Sequence, residues 1–153
     1  MRRLTFIVVH HTATPGRATS LAAVDGAHRR RNWGTTAQPA YAKPSALGYF
    51  VQYHYFINWQ GILTQTRLER EIGWHANRAN PYSLGVALSG WFDPGYDRAP
   101  APAQVATLRL LLRKLADQFQ IPLAQIVPHR HFAPYKSCYG ANLANDWARR
   151  LIS

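Results

Sequence analysis

The chain has 153 residues, 47% hydrophobic and 12% aromatic, with 18 lysines and arginines against 7 acidic residues for a formal net charge of +11. This is the composition of a globular domain with a real core, and it excludes a disordered or low-complexity chain. One cysteine excludes an intramolecular disulfide, and no stretch reaches the ~18 apolar residues of a membrane span.

The first informative stretch is IVVHHTATPG, residues 7 to 16. Phe6 to Val9 are aromatic and β-branched and read as a buried strand, which Pro15 and Gly16 stop in a turn. The strand thus carries two histidines, His10 and His11, at its end. Such a rigid rim suits a metal ligand or a catalytic base, and equally a hydrogen-bonded core histidine beside an exposed one. Residues 19 to 34 read as a helix capped by Thr19 or Ser20 and ended by Gly34, with Leu21, Val24 and Ala27 or His28 at helical spacing. Residues 35 to 48 have two prolines and no period, so a long surface loop is expected there. Residues 49 to 66 predict a hairpin turning at NWQG, with Tyr53, Tyr55 and Ile57 on one face and His54, Phe56 and Asn58 on the other.

GWHANRANPYS (73 to 83) reads as a polar loop, LGVALSGW (84 to 91) as a second buried strand, and 92 to 103 as a proline-rich connection. Residues 103 to 120 are the clearest helix, with Val105, Leu108, Leu112, Leu115 and Phe119 in an apolar stripe. A short strand lies in IPLAQIVPHRHF, and a last helix is expected over about 141 to 151, carrying Leu143, Trp147 and Leu151. Strands mixed with amphipathic helices predict an α/β fold, a sheet covered by helices, in one domain over residues 1–153.

The second informative stretch is VPHRHFAPYKSCYG, 127 to 140, which gathers His129, His131, Lys136 and Cys138. Imidazole and thiolate are ligands that zinc prefers, and a catalytic zinc commonly takes three protein ligands plus water. One histidine from VVHH, one from PHRH, and Cys138 make such a set. Cys138 is equally readable as a small buried hydrophobe.

The ordered series VVHHTAT, QYHYFINWQG, GWHA, NPYSLGVALSG, PAQVATLRLLLRKL and IVPHRHFAPYKSC resembles the zinc-dependent N-acetylmuramoyl-L-alanine amidases of the type-2 family, over about residues 5 to 147. That family includes peptidoglycan recognition proteins and small phage endolysins. The resemblance implies a central mixed β-sheet flanked by helices with zinc in a cleft. It maps the metal ligands to His10, His129 and Cys138, and the catalytic residues to Tyr53 and Lys136. His11 then fills a variable position. The GWHANRANPYS loop supplies Trp74, His75 and Asn80 as substrate contacts, with His75 at the cleft rim. His131 competes with His129, although its position suits a supporting role. Three features depart from the family: CYG replaces the usual CPG, Ala87 stands where many relatives carry a glutamate base, and the segment from His129 to Cys138 is one residue longer than in the short phage members. The second places the chain nearer the tyrosine-using phage branch.

The implied activity is zinc-assisted cleavage of the amide between N-acetylmuramic acid and L-alanine in peptidoglycan, as in an endolysin. The rival is an inactive peptidoglycan-binding module of the same fold. A nucleic-acid reader would need a motif to accompany the charge, and there is none. The remaining expectations are a monomer, Zn2+ as cofactor, and cytoplasmic synthesis without a signal peptide before action on the wall. Arg29, Arg30 and Arg31, with Arg109, Arg113 and Lys114, are expected to contact anionic envelope polymers.

Overall fold

Phe6–His11 forms the first strand, β1, and is buried almost throughout. The computed structural model describes residues 2–31 and 43–153, so the expected loop over 35–48 and the helix end at Gly34 lie largely outside the described residues. β1 is one of the inner strands of a five-stranded sheet of order β3-β2-β4-β1-β5. The others are β2 (Tyr55–Ile57), β3 (Leu63–Gln65), β4 (Ser83–Leu88) and β5 (Ile126–Pro128). β1 runs parallel to β4 and β5, β2 runs parallel to β4, and only β3 is antiparallel, so the sheet is mixed as expected. Central parallel strands are covered on both faces, which is why β1, β2 and β4 read as continuous apolar runs.

One face packs against α2 (Pro102–Phe119), whose Leu108, Leu111, Leu112 and Leu115 meet Ile7, Val9, Val86, Leu88 and Ile126. The helix starts one residue earlier than the sequence suggests because Pro102 fits a first turn that needs no N–H from it. Gln104 is wholly buried there; its amide donates to Ser89 O at 2.9 Å, and its carbonyl oxygen accepts from Ala101 N at 3.0 Å. The opposite face is covered by α1 (Leu21–Arg30), capped as expected by Ser20, which accepts from Ala23 N, and by the loop over 73–82.

Two elements are shorter than their periodicity suggests. The hairpin begins only at Tyr55, because the backbone N–H groups of Phe50 and Val51 go to Asp25 and that of Gln52 goes to His28 Nδ1. β2 is also buried on both faces rather than one. The last helix, α3, spans only Trp147–Arg150. In the segment before it, Ala141 N donates to Asp93, Asn142 N donates to Phe92 O, and Arg130 takes Leu143 O. Backbone groups engaged in this way are not free to close helical turns.

Candidate active site

Alternation along β1 separates the paired histidines. Val8 and His10 project from the α1 side of the sheet, and Val9 and His11 from the α2 side. His11 is 5% exposed, lies against Phe92 and accepts that residue's N–H on Nδ1 at 3.1 Å. It is a hydrogen-bonded core histidine. His10 faces the cleft, where its ring centroid lies 4.6 Å from that of His129.

Cys138 completes the group from a loop. Its Sγ is 3.6 Å from His10 Nδ1 and accepts the His11 backbone N–H at 3.4 Å. Ligand atoms of His10, His129 and Cys138 all fall within 4.8 Å of one another, and all three residues are buried. His131 is exposed and packs on Phe6 and Phe132, outside this cluster.

Three residues hold the cysteine loop. Arg130 N donates to Cys138 O at 2.7 Å, and its guanidinium donates to Ser137 O and Gly140 O at 2.9 Å each. Asp93 accepts from Ala141 N at 2.8 Å and from Ser137 Oγ at 2.9 Å. Tyr139 is wholly buried under the Arg130 guanidinium; its hydroxyl lies 2.5 Å from Ala144 O and 2.9 Å from Asn145 O. The loop is tied to the turn that follows β5 and to the start of α3, so the phenol serves as an anchor.

Burial sets the electrostatics. His10 is pushed well below the usual imidazole range by burial and then by the charge of His129. Burial and then Lys136 lower His129 to about 4. Both rings are therefore neutral at pH 7, with a lone pair available. Burial raises the Cys138 thiol to about 12, against the opposing pull of the His11 N–H and Lys136. A thiol of this kind gives up its proton in exchange for a strong cation. Two neutral imidazoles and one such thiol form a donor set that fits zinc.

These residues line a cleft of about 750 Å³ that also includes His28, Arg31, Tyr53, Trp74, His75, Arg78, Tyr135 and Lys136. Among the described residues, no carboxylate lines it. Ala87 sits beside His10 in register and is sealed among Val24, Val51 and Phe56, so this chain has no glutamate base at that position. The half-buried Tyr53 ring lies 4.9 Å from the His10 ring. Burial first, and then the charge of Cys138, raise its phenol above the ordinary range, so it carries its proton at neutral pH.

The sequence profile of the N-acetylmuramoyl-L-alanine amidase family matches residues 1–141. The chain belongs to this family. The endolysin of Escherichia phage T7 is 33% identical to it over 104 residues, 67% of either chain. The N-acetylmuramoyl-L-alanine amidase endolysin LysCS of Clostridium intestinale URNW has the same fold, with a TM-score of 0.72 at 24% identity over 92% of this chain and 78% of its own. The Drosophila peptidoglycan recognition protein SD also shares the fold, with a TM-score of 0.65 at 23% identity over 94% of this chain and 78% of its own. The activity that goes with membership is amidase cleavage of the cell wall.

The loop over 73–82 enters the amidase site differently from its sequence expectation. Trp74 lines the cleft, with its backbone N–H donating to Gln52 Oε1 at 3.0 Å. Asn80 does not line the cleft. It is 3% exposed, and its Oδ1 accepts the N–H groups of His75 and Ala76 at 2.9 and 2.7 Å, so it shapes the loop. His75 is not at the rim; it is 7% exposed and touches His10. Among the lining residues not foreseen in the sequence are His28 and Arg31. Their signal was present, because both continue the Val24 face of α1 at spacings of four and three. The Arg29–Arg31 run, expected to contact envelope polymers, therefore contributes one residue, Arg31, to the site.

Proposed function

We propose that this amidase hydrolyses the bond between the lactyl group of N-acetylmuramic acid and L-alanine with one zinc ion held by His10, His129 and Cys138. The observation that carries the reading is the convergence of those three ligand atoms within 4.8 Å in a cleft that also holds Tyr53 and Lys136. When bound, zinc supplies an activated water and polarises the amide carbonyl. Tyr53 acts as a protonated phenol that donates a hydrogen bond and orients the reacting groups; its raised pKa argues against service as a base. Lys136, exposed at the rim, offers an ammonium to the negative charge that develops on the carbonyl oxygen. Trp74 and Tyr135 give the sugar and peptide apolar walls.

The chain acts as one domain over residues 1–153 and as a monomer, reaching the wall after release, as expected for an endolysin. No described helix is long and apolar enough to cross a membrane. All the implied catalytic residues are present, which favours the enzyme over the binding module. Two measurements on purified protein test this: metal content by elemental analysis, and clearing of purified cell walls with appearance of new L-alanine amino termini. Clearing without new L-alanine termini would reassign the cleaved bond. Clearing that survives full removal of metal would sink the zinc reading.

A further inference from the structure

Beyond its three ligands, the cleft contains a buried chain of side chains whose order is chemically constrained. His10 Nδ1 faces Cys138 Sγ, while His10 Nε2 lies 3.0 Å from His75 Nδ1. His75 Nε2 in turn lies 3.1 Å from Ser83 Oγ. All three residues are buried. A neutral imidazole carries one proton, so each contact fixes the next. For His10 to offer Nδ1 to a metal, its proton must sit on Nε2 and be donated to His75 Nδ1. His75 then carries its own proton on Nε2 and donates it to Ser83 Oγ. Reversing the first bond would protonate His10 Nδ1 and block the ligand atom.

The backbone is arranged around this ring. Asn80 Oδ1 accepts the His75 N–H at 2.9 Å and fixes the residue's main chain. On the sheet beneath, residue 85 is glycine; a Cβ there would lie 2.8 Å from both His75 Cγ and Nδ1. The strand thus leaves a seat for the imidazole beside His10.

We infer that His75 is a positioning residue for the metal ligand His10, setting its tautomer and ring orientation through a His10–His75–Ser83 relay. The inference rests on the zinc reading of the same site. A hydrogen-bond acceptor behind a ligating histidine raises its basicity, and losing one typically costs 10–100-fold in metal affinity. A neutral imidazole fills here the place that a carboxylate or backbone carbonyl often takes, in keeping with a cleft that has no acidic lining residue among the described residues.

The test is zinc affinity by competition with a chromophoric chelator, with thermal unfolding of the zinc-free proteins as the control for folding. Wild type is titrated first, and failure to bind zinc there would sink the metal site itself. With wild-type binding established, His75→Leu should bind zinc ~10–100-fold more weakly. His75→Asn, whose Oδ1 lies near the position of Nδ1, should recover most of that loss. Ser83→Ala, which keeps the ring and removes its acceptor, should show a smaller loss, and Gly85→Ala, which displaces the ring, a loss of several-fold. Equal weakening in His75→Leu and His75→Asn would leave the ring with a packing role only. Unchanged affinity in both Ser83→Ala and Gly85→Ala would overturn the relay, even where His75→Leu does not fold.

Discussion

Val9 and Pro128 are register partners on the adjacent parallel strands β1 and β5. His10 and His129 follow them by one residue, so two side chains 119 positions apart emerge side by side on the same face of the sheet. A parallel pairing gives this placement without any local motif, and the C-terminal ends of parallel strands are where α/β sheets place their ligands. The strand pairing brings together two candidate ligands, and the anchored loop that follows supplies the third, Cys138.

From that geometry, His10→Ala, His129→Ala and Cys138→Ala should each lose stoichiometric zinc in elemental analysis. His11→Ala should keep it. Its cost should appear in stability instead, about 1–3 kcal/mol for leaving the buried Phe92 N–H without an acceptor. A zinc-free but normally stable His11→Ala protein would reverse the assignment of the pair.

Tyr53→Phe and Lys136→Ala should fold, bind zinc as wild type does, and lose activity on purified peptidoglycan. Groups aimed at developing charge are typically worth ~10²–10³ in rate. Wild-type turnover in either variant would remove the role given to that residue.

Sequence and structure agree where the signal is periodic. The strand at Phe6–His11, the long helix and the order of strands and helices follow from apolar spacing, and the grouping of His10, His129 and Cys138 as a possible metal site follows from the family resemblance. What spacing could not reveal was long-range hydrogen bonding. Asp25 and His28 take the N–H groups that would have extended the hairpin to residue 49, and Asp93 and Arg130 disrupt the first turns of the expected last helix. The same limit applies within the site. Asn80 is a polar residue in a polar loop, and only the folded chain shows its oxygen turned inward to hold His75 and Ala76.

Acid should destabilise this protein through histidines outside the candidate metal site as well as within it. His28 and His54 each accept a backbone N–H on Nδ1, from Gln52 and Gly85 respectively, at 3.0 Å. Burial and then Arg31 lower His28 to about 4; burial lowers His54 to about 3 against the opposing bond to Glu71 O. The unfolded chain takes up these protons near pH ~6.5. Below that pH the unfolded state binds more protons than the native one, so stability falls as pH drops, down to about 4 for His28 and about 3 for His54. Denaturation midpoints of the zinc-free protein should therefore decline from pH 7 to pH 4. His28→Asn, which keeps an acceptor and cannot titrate, should decline less steeply, by up to ~1.4 kcal/mol per pH unit. An unchanged slope would assign the acid sensitivity elsewhere.

The last prediction concerns the charge of +11. Among the described residues Arg67 pairs with Glu71 and Arg150 with Asp146, and over the sequence 18 cations outnumber 7 acidic residues. The cations do not form one uniform surface. Arg31 lines the cleft, so reversing the whole Arg29–Arg31 run would disturb substrate binding along with any envelope contact. Arg109 is partly engaged, its Nε donating to Leu151 O at 3.1 Å. Arg113 and Lys114 are exposed on α2, across the sheet from the cleft, and give the cleaner test. If they hold the enzyme against an anionic envelope polymer, Arg113→Glu with Lys114→Glu should weaken association with intact cells and leave hydrolysis of a small soluble muropeptide unchanged. Exposed charges are screened over ~8 Å at physiological ionic strength, so added salt should weaken cell association in wild type far more than in the double variant. Cell association indifferent to both salt and charge reversal would limit the basic surface to keeping the protein soluble.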